Sequence, residues 1–278
     1  MKQLLRYKII AFVLLLLLAA MWIYPLLWGF FTSFKSTMEI RSVMRSFLPI
    51  DWTIENYATL LINNPSSPLL TWFTNSFIIS LSHTALVLVV VSLAAYGYAR
   101  LNFKGRGVIF ALLLGSMMIP QVVNLVPLFS IVHRLGWVNS FLAVVIPGLG
   151  GVFNVFLVRQ FILGIPVTFD ESARVDGANE LHIFFFIILP MIKPALMVVA
   201  LFSFTGSWND FLWPSVVLTG INRLPITPGL QLIQGQYIIQ PEIATAGAII
   251  AIVPALILFI VAQRYFMQSM SLSSGVKE

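Results

Sequence analysis

The sequence predicts an all-α membrane protein with six transmembrane helices. Hydrophobic residues make up 59% of the chain and charged residues only 9%, which is typical of polytopic membrane proteins rather than of soluble domains. A helix needs about 20 apolar residues to cross a bilayer, and six separate runs meet that requirement. The predicted spans are 9–31, 76–98, 108–131, 140–162, 186–206 and 244–265.

The first span follows Lys2, Arg6 and Lys8, as the apolar core of a signal peptide would follow basic residues. It is too long for such a core, however, and no small-residue cleavage site closes it. We therefore expect a retained membrane anchor. No low-complexity tract or extramembrane linker separates the later spans, so residues 1–278 are expected to form a single transmembrane domain.

Basic residues set the orientation of the six spans, which place both termini on one side of the membrane. With the N-terminus inside, the cytoplasm holds eleven of the sixteen Lys and Arg residues. These are Lys2, Arg6, Lys8, Arg100, Lys104, Arg106, Arg159, Arg174, Lys193, Arg264 and Lys277. The prediction is a multi-pass protein with both termini and the loop at 163–190 in the cytoplasm. Attraction of these residues to anionic membrane lipid accounts for the net charge of +6 without a nucleic-acid partner.

The sequence contains no motif of a catalytic or metal site. His83, His133 and His182 lie on different spans and loops, without a carboxylate at metal-ligand spacing. Hydrolase, metalloprotease and phosphate-binding motifs are absent, and so is cysteine. No Asp or Glu lies centrally in a predicted span, which argues against transport coupled to protons or sodium ions. We predict no catalytic residue, no metal and no cofactor in this chain, and a transport subunit that draws its energy from another subunit.

The loop between spans four and five is the polar exception in this apolar chain. Thr168 and Glu171 have the spacing of a capping box, which predicts that a helix begins at Thr168. Asp170 and Glu171 then lie in the first turn, where acidic groups interact favourably with the helix dipole. Asp170 is also placed to pair with Arg174 one turn later. Gly177 can end this helix or let the backbone of a partner approach closely.

A second helix is predicted from about residue 179, with a bend at Pro190 and Pro194 that leads into span five. Ser172 and Ala173 leave a low surface on the first helix, against which a partner protein can dock. The alternative is an ordinary surface helix with a solvated charged face.

The same loop resembles a pattern that marks the permease subunits of binding-protein-dependent ABC importers. The pattern is E-A-A-x3-G-x9-I-x-L-P, and the chain departs from it only at Ser172, which replaces one of the two small Ala residues. The matching positions are Glu171, Ala173, Gly177, Ile187, Leu189 and Pro190. The segment SWNDFLWP at 207–214 and the ending AQRYF followed by SSGVKE are similar to the smaller, six-span partner of the maltose-type sugar permeases.

This resemblance implies a type I ABC importer permease fold in the inner membrane of a prokaryote. The chain would pair with a second permease subunit as a heterodimer and form half of the transmembrane pathway for a carbohydrate. An extracytoplasmic binding protein would deliver that carbohydrate. ATP and Mg would bind to a separate ATPase dimer rather than to this chain.

In this family the loop forms a coupling helix that sits in a cleft on the ATPase subunit. The resemblance implies a coupling surface at Glu171, Ser172, Ala173, Asp176, Gly177, Leu189 and Pro190. It also implies that the C-terminal tail reaches the ATPase dimer interface, although Glu278 replaces the usual small final residue. The tail residues concerned are Gly275, Val276 and Lys277.

Polar residues in or near three spans are candidates for the sugar path. They are Gln121, Asn124, Asn154, Trp208, Asn209 and Asp210. A helix broken between Pro120 and Pro127 would let the first two face a water-filled cavity, whereas interhelical hydrogen bonds explain the amide side chains equally well. Trp208 offers a face on which a sugar can stack, but interfacial Trp is also common in membrane proteins.

The outer loop at 207–243 is expected to be ordered but non-regular because it is rich in Pro and Gly. By the family resemblance, part of this loop contacts the binding protein. The residues assigned to that contact are Gln231, Gln234, Gln236 and Tyr237. His83 is predicted to be a hydrogen-bond donor between helices, and Gly247 and Ala251 have the spacing for close helix approach.

Two alternative functions stay open at this point. A permease of a non-sugar ABC importer shares the loop pattern, and only the sugar-type flanks argue against it. A six-span channel or facilitator would work without an ATPase. Sugar flux in liposomes that lack any ATPase distinguishes the channel from the importer.

Overall fold

The computed structural model describes residues 2–42, 46–62, 67–236 and 241–274, and every regular element in these ranges is helical. The α-helices are α1 (Lys2–Thr32), α2 (Thr37–Arg41), α3 (Glu55–Leu61), α4 (Leu69–Arg100), α5 (Arg106–Ser116), α6 (Leu125–Arg134), α7 (Phe141–Val145), α8 (Val152–Leu163), α9 (Thr168–Val175), α10 (Glu180–His182), α11 (Leu189–Met191), α12 (Lys193–Asn209), α13 (Leu212–Val217), α14 (Ile226–Gln236) and α15 (Pro241–Ser274). Gln121–Asn124 and Ile221–Arg223 form 3-10 helices, and Ile183–Ile188 forms a π-helix.

Among the described residues, three helices are long and apolar enough to cross a membrane, namely α1, α4 and α15. Three bent helix pairs raise the number to six if each pair is one span. The first pair, α5 with the helices after Pro120, bends by 96°, because proline lacks the N–H that would continue the helical hydrogen bonds. Span three is therefore broken as predicted, but the break lies at 117–120 rather than between the two prolines, and Pro127 lies inside α6.

The predicted span at 140–162 is not one continuous helix, which corrects that prediction. α7 ends at Val145 and α8 begins at Val152, and the sequence IPGLGG lies between them. Proline and three glycines disfavour the helical backbone there. Because α8 has only 12 residues, or about 18 Å of helix, it is shorter than the roughly 30 Å of a bilayer core.

One compact unit comprises Met1–Leu70 and Gly229–Val253. Within it, a Cβ atom added to Gly247 would lie only 2.8 Å from Cδ2 of Leu230. The glycine therefore permits close packing, as its spacing predicts. Residues 6–28 of α1 are all exposed and mostly apolar, as is typical of a helix that lipid or another protein covers.

The second compact unit comprises Thr71–Pro228 and Pro254–Glu278. Its main core joins α4 and α8 to the segment that follows α9. The buried residues are Val87, Val91, Ala95, Tyr96, Val155, Val158, Ile162, Ile183, Phe184, Ile188, Ile192 and Val199. The π-helix therefore provides much of the apolar surface that holds the loop against the ends of two spans.

A smaller core in the same unit packs α7 and α13 against α4 and α6. His83 of α4 lies 3.0 Å from the carbonyl oxygen of Val145, which agrees with its predicted role between helices. Gly148 makes room for this ring, because a Cβ atom there would lie 2.8 Å from Cε1 of His83. The indole of Trp213 donates to the carbonyl of Ala143 at 2.8 Å.

Candidate functional site

The N-terminus of α9 differs from the predicted capping box. The N-cap residue is Val167, and its carbonyl accepts the amide of Glu171 at 3.1 Å without any side-chain cap. Val167 already has helical dihedral angles after Pro166. Thr168 therefore lies inside the helix and lacks the extended backbone that a capping side chain requires. The helix begins where predicted, but for a different physical reason.

The C-terminus of α9 confirms the prediction that Gly177 ends the helix. Gly177 has a φ of +85°. The amide of Ala178 bonds to the carbonyl of Ala173 at 2.9 Å, and the amide of Gly177 bonds to the carbonyl of Arg174 at 3.1 Å. These two bonds define a Schellman motif. Because no atom lies within 4 Å of a Cβ placed on Gly177, its backbone conformation rather than a lack of space favours glycine here.

The base of α9 is held by a buried ion pair. A carboxylate oxygen of Asp170 lies 2.7 Å from Nε of Arg100, and the two side chains are 0% and 4% exposed. The predicted pairing of Asp170 with Arg174 is not the one that the structure forms, because Arg174 instead contacts Glu180 at 2.9 Å. Burial raises the pKa of the Asp170 carboxyl, and the positive charge of Arg100 opposes that rise.

Two further hydrogen bonds connect the end of α4 to the same loop. The hydroxyl of Tyr96 donates to Glu180 at 2.6 Å, and Arg100 donates to the carbonyl of Ile165 at 2.6 Å. Hydrogen bonds from Arg174 and Tyr96 hold the pKa of the Glu180 carboxyl below its usual value. The roles of Tyr96, Arg100 and Glu180 were not predicted, because their partners lie about 65 to 84 residues away in the chain.

The opposite face of α9 is open. The side chains of Glu171, Ser172 and Asp176 are exposed, as is Gly177, whereas Ala173 is half-buried against the core. Beside this face is an open groove of about 440 Å³. It is lined by Ala173, Asp176, Gly177, Ala178, Asn179, His182 and Ile187.

Exposed apolar side chains extend this surface beyond the predicted residues. Val175 is 88% exposed and Leu181 is 65% exposed. Val175 and Leu181 could have been found from the sequence, because they are apolar residues inside a polar loop. Leu189 packs against the core and Pro190 is exposed, so these two motif residues lie at the bend into α12, which is 77°.

The predicted sugar-path residues have different environments. Gln121 and Asn124 lie exposed in the 3-10 helix of the broken span. Asn154 donates to Ser203 at 3.4 Å, which is an interhelical hydrogen bond between α8 and α12. For Asn154 the structure thus favours the packing interpretation.

The three candidate sugar-path residues near the end of α12 also differ in how deeply they are buried. Trp208 is 2% exposed, with its ring packed against Phe204 and Phe73 at centroid distances of 5.7 and 5.4 Å. Asn209 is exposed and Asp210 is half-buried. Burial raises the pKa of Asp210, while hydrogen bonds from the backbone of the following helix lower it. Trp208 is therefore a core residue of its unit.

The outer loop is more regular than predicted, because residues 226–236 form the helix α14. Gln231 and Gln234 lie on its exposed side, opposite the fully buried Ile233. The side chain of Gln236 and all of Tyr237 lie outside the described residues. The same is true of the tail residues Gly275, Val276 and Lys277.

Comparisons with known proteins agree with this architecture. Residues 88–272 match the family described as binding-protein-dependent transport system inner membrane component. The chain is 36% identical over 257 residues to the arabinooligosaccharides transport system permease protein AraQ of Halalkalibacterium halodurans, covering 92% of this chain and 91% of the relative. It is 34% identical over 270 residues to the galactooligosaccharides transport system permease protein GanQ of Bacillus subtilis, covering 96% and 94%.

The fold is similar to a crystal structure of a bacterial ABC transporter involved in the import of the acidic polysaccharide alginate. The TM-score is 0.83 at 25% sequence identity, with 94% of this chain and 96% of that chain covered. The predicted six-span ABC importer permease fold is thereby confirmed, and the chain is a membrane transport subunit rather than an enzyme. It belongs to the family of inner membrane components of binding-protein-dependent transport systems.

Proposed function

We propose that this chain is one of two different permease subunits in an ATP-driven carbohydrate importer, and that α9 is its coupling helix. The observation that carries the proposal is the geometry of α9: a short helix with an open outer face and a base fixed to two spans. A carbohydrate substrate is supported by the relatives, which are permeases for arabinooligosaccharides and galactooligosaccharides.

The coupling mechanism follows from that geometry. ATP and Mg bind to a separate ATPase dimer, and its closure displaces α9 through contact with Glu171, Ser172, Asp176 and Gly177. The base of the helix moves with this face because both belong to one short helix. The attached spans then re-orient, and a central cavity opens toward the outside.

The remaining partners complete the transport cycle. An extracytoplasmic binding protein delivers the carbohydrate and contacts α14 near Gln231 and Gln234. The family resemblance assigns Gln236 and Tyr237 to the same contact. The tail residues Gly275, Val276 and Lys277 contact the ATPase dimer. Both termini lie in the cytoplasm, in agreement with the distribution of basic residues.

The test compares two glycines in the importer reconstituted into liposomes with its ATPase, second permease and binding protein. We expect Gly177→Val to lower the oligosaccharide transported per ATP by about tenfold, within the range of coupling between two sites. Gly136→Val is the matched control, because Gly136 also has a positive φ, 69°, and no atom within 4 Å of its Cβ position. The probes are arabino-oligosaccharides, galacto-oligosaccharides and maltodextrins.

Three outcomes contradict the proposal. Normal transport per ATP by Gly177→Val excludes the coupling assignment, and an equal loss in Gly136→Val indicates a general effect of backbone strain. Oligosaccharide flux without the ATPase indicates a facilitator instead.

A further inference from the structure

The end of α4 holds an ion pair that an apolar interior does not favour. Moving two charges out of water costs free energy that their attraction offsets only when the geometry is good. Arg100 and Asp170 are 4% and 0% exposed and lie 2.7 Å apart. Replacement by apolar residues of similar volume is often neutral or stabilising at such sites, so stability alone does not explain the pair.

The same turn of α4 contacts the loop at three points. Arg100 donates to the carbonyl of Ile165 before α9 and pairs with Asp170 within it. Tyr96, four residues earlier and on the same face of α4, donates to Glu180 after α9. One helical turn therefore holds the segment before α9, the helix itself and the segment after it.

The backbone segments on either side of α9 restrict its position less than its contacts with α4 do. Gly164 lies four residues before the helix, and Gly177 follows it. Glycine permits many backbone conformations, so the chain itself does not fix the angle of α9 relative to its neighbours. The buried polar contacts with α4 restrict this angle directly.

We propose that Arg100 and Asp170, supported by Tyr96 and Glu180, are positioning residues that pass the displacement of α9 to α4. Span two then moves with the coupling helix even though the loop connects spans four and five. The inference rests on the proposed coupling function, because it assigns the route by which movement of α9 reaches the membrane. The ion pair sets the angle between the two helices, and the Tyr96 hydroxyl prevents rotation about that contact.

The decisive variant replaces both charges with apolar side chains. R100M/D170L removes the ion pair and the hydrogen bond from Arg100 to Ile165 but fills most of their volume. We therefore expect normal assembly with the ATPase and an unfolding temperature lower by only about 2–4 °C. The oligosaccharide transported per ATP should nevertheless fall by about tenfold. Tyr96→Phe removes one hydroxyl and keeps the ring against Phe184, and it should lower the same ratio by about threefold.

Arg159→Met is the matched control. Arg159 also reaches α4, donating to the carbonyl of Tyr98 at 3.2 Å, and its guanidinium lies 4.3 Å from the centre of the Phe110 ring. Because these contacts join Arg159 to α4 and α5 rather than to α9, the transport ratio should change less than about twofold.

Two results overturn the inference: a normal ratio in R100M/D170L, or an equal loss in Arg159→Met. If the double variant fails to assemble, Tyr96→Phe decides, and its normal ratio also rejects the proposal. If Gly177→Val loses coupling while R100M/D170L and Tyr96→Phe keep a normal ratio, only the route through Arg100 and Asp170 is rejected. A normal ratio in Gly177→Val rejects the proposed coupling function itself.

Discussion

One polar segment lies around α9 and another, at 207–214, begins in the last turn of α12, and the two have opposite roles in the structure. Both interrupt apolar sequence and both contain aromatic and acidic residues. Around α9 the motif residues Glu171 and Ser172 are exposed. In the other segment Trp208 is 2% exposed and packs between two phenylalanine rings. Polar composition therefore identifies a segment of interest, but burial decides whether it is a contact surface or part of a core.

The largest effect on stability is expected from a substitution in the second segment, at 207–214. Trp208→Ala should lower the free energy of unfolding by about 3 kcal/mol or more, because a large buried aromatic side chain leaves a cavity. Thermal unfolding of the purified importer in detergent measures this loss. Transport and ATP hydrolysis should fall together, in proportion to the amount of assembled complex.

Trp208→Phe tests whether Trp208 serves only in packing or also contacts the sugar. A phenyl ring retains most of the packing with Phe73 and Phe204, so the KM for the transported oligosaccharide should stay unchanged. A large rise in KM at normal stability would show that Trp208 contacts the sugar, and the core role would then be incomplete.

At the first segment the expected effect is on coupling rather than on stability. Ser172→Phe adds bulk to an exposed position of α9, so the free energy of unfolding should change by less than about 0.5 kcal/mol. The oligosaccharide transported per ATP should fall by about tenfold. Thr219→Phe, at an exposed position outside both segments, serves as the control and should leave the ratio intact.

A smaller effect is expected for the carboxyl group of the second segment. Burial raises the pKa of Asp210, and the backbone amides of Leu212 and Trp213 donate to it. Asp210→Asn keeps an oxygen acceptor and removes the buried charge, so unfolding near pH 7 should require about 0.5 kcal/mol more free energy. Lower stability in this variant would show that the charge itself is needed.

The smallest effect concerns pH at the first segment. The pKa of Glu180 is lowered in the folded protein, so its contribution to stability is present above its unfolded pKa, which is about 4.3. It is lost as the pH falls through the lower folded pKa. Glu180→Gln should therefore reduce the decline of the unfolding temperature between about pH 5 and pH 3. Glu171→Gln is the control on the exposed face, and an equal change in both variants would contradict the assignment.

Local signals predicted most of the elements around α9. Hydropathy located the three long apolar helices α1, α4 and α15. Pro120 marked the break that becomes a 96° bend, and Gly177 marked the end of α9. Predictions that relied on neighbours in sequence were less successful. The spacing of Asp170 and Arg174 suits an ion pair on an isolated helix, but each residue has a different partner in the folded chain.

The sequence by itself determined the membrane location and the helix end at Gly177, because hydropathy and the backbone freedom of glycine act over a few residues. Only the tertiary structure decided that Asp170 meets Arg100 and that Trp208 lies in a core. These outcomes depend on surfaces that distant segments bring together. A buried carboxylate is stable beside whichever cation the packing provides, and no short-range pattern specifies which cation that is.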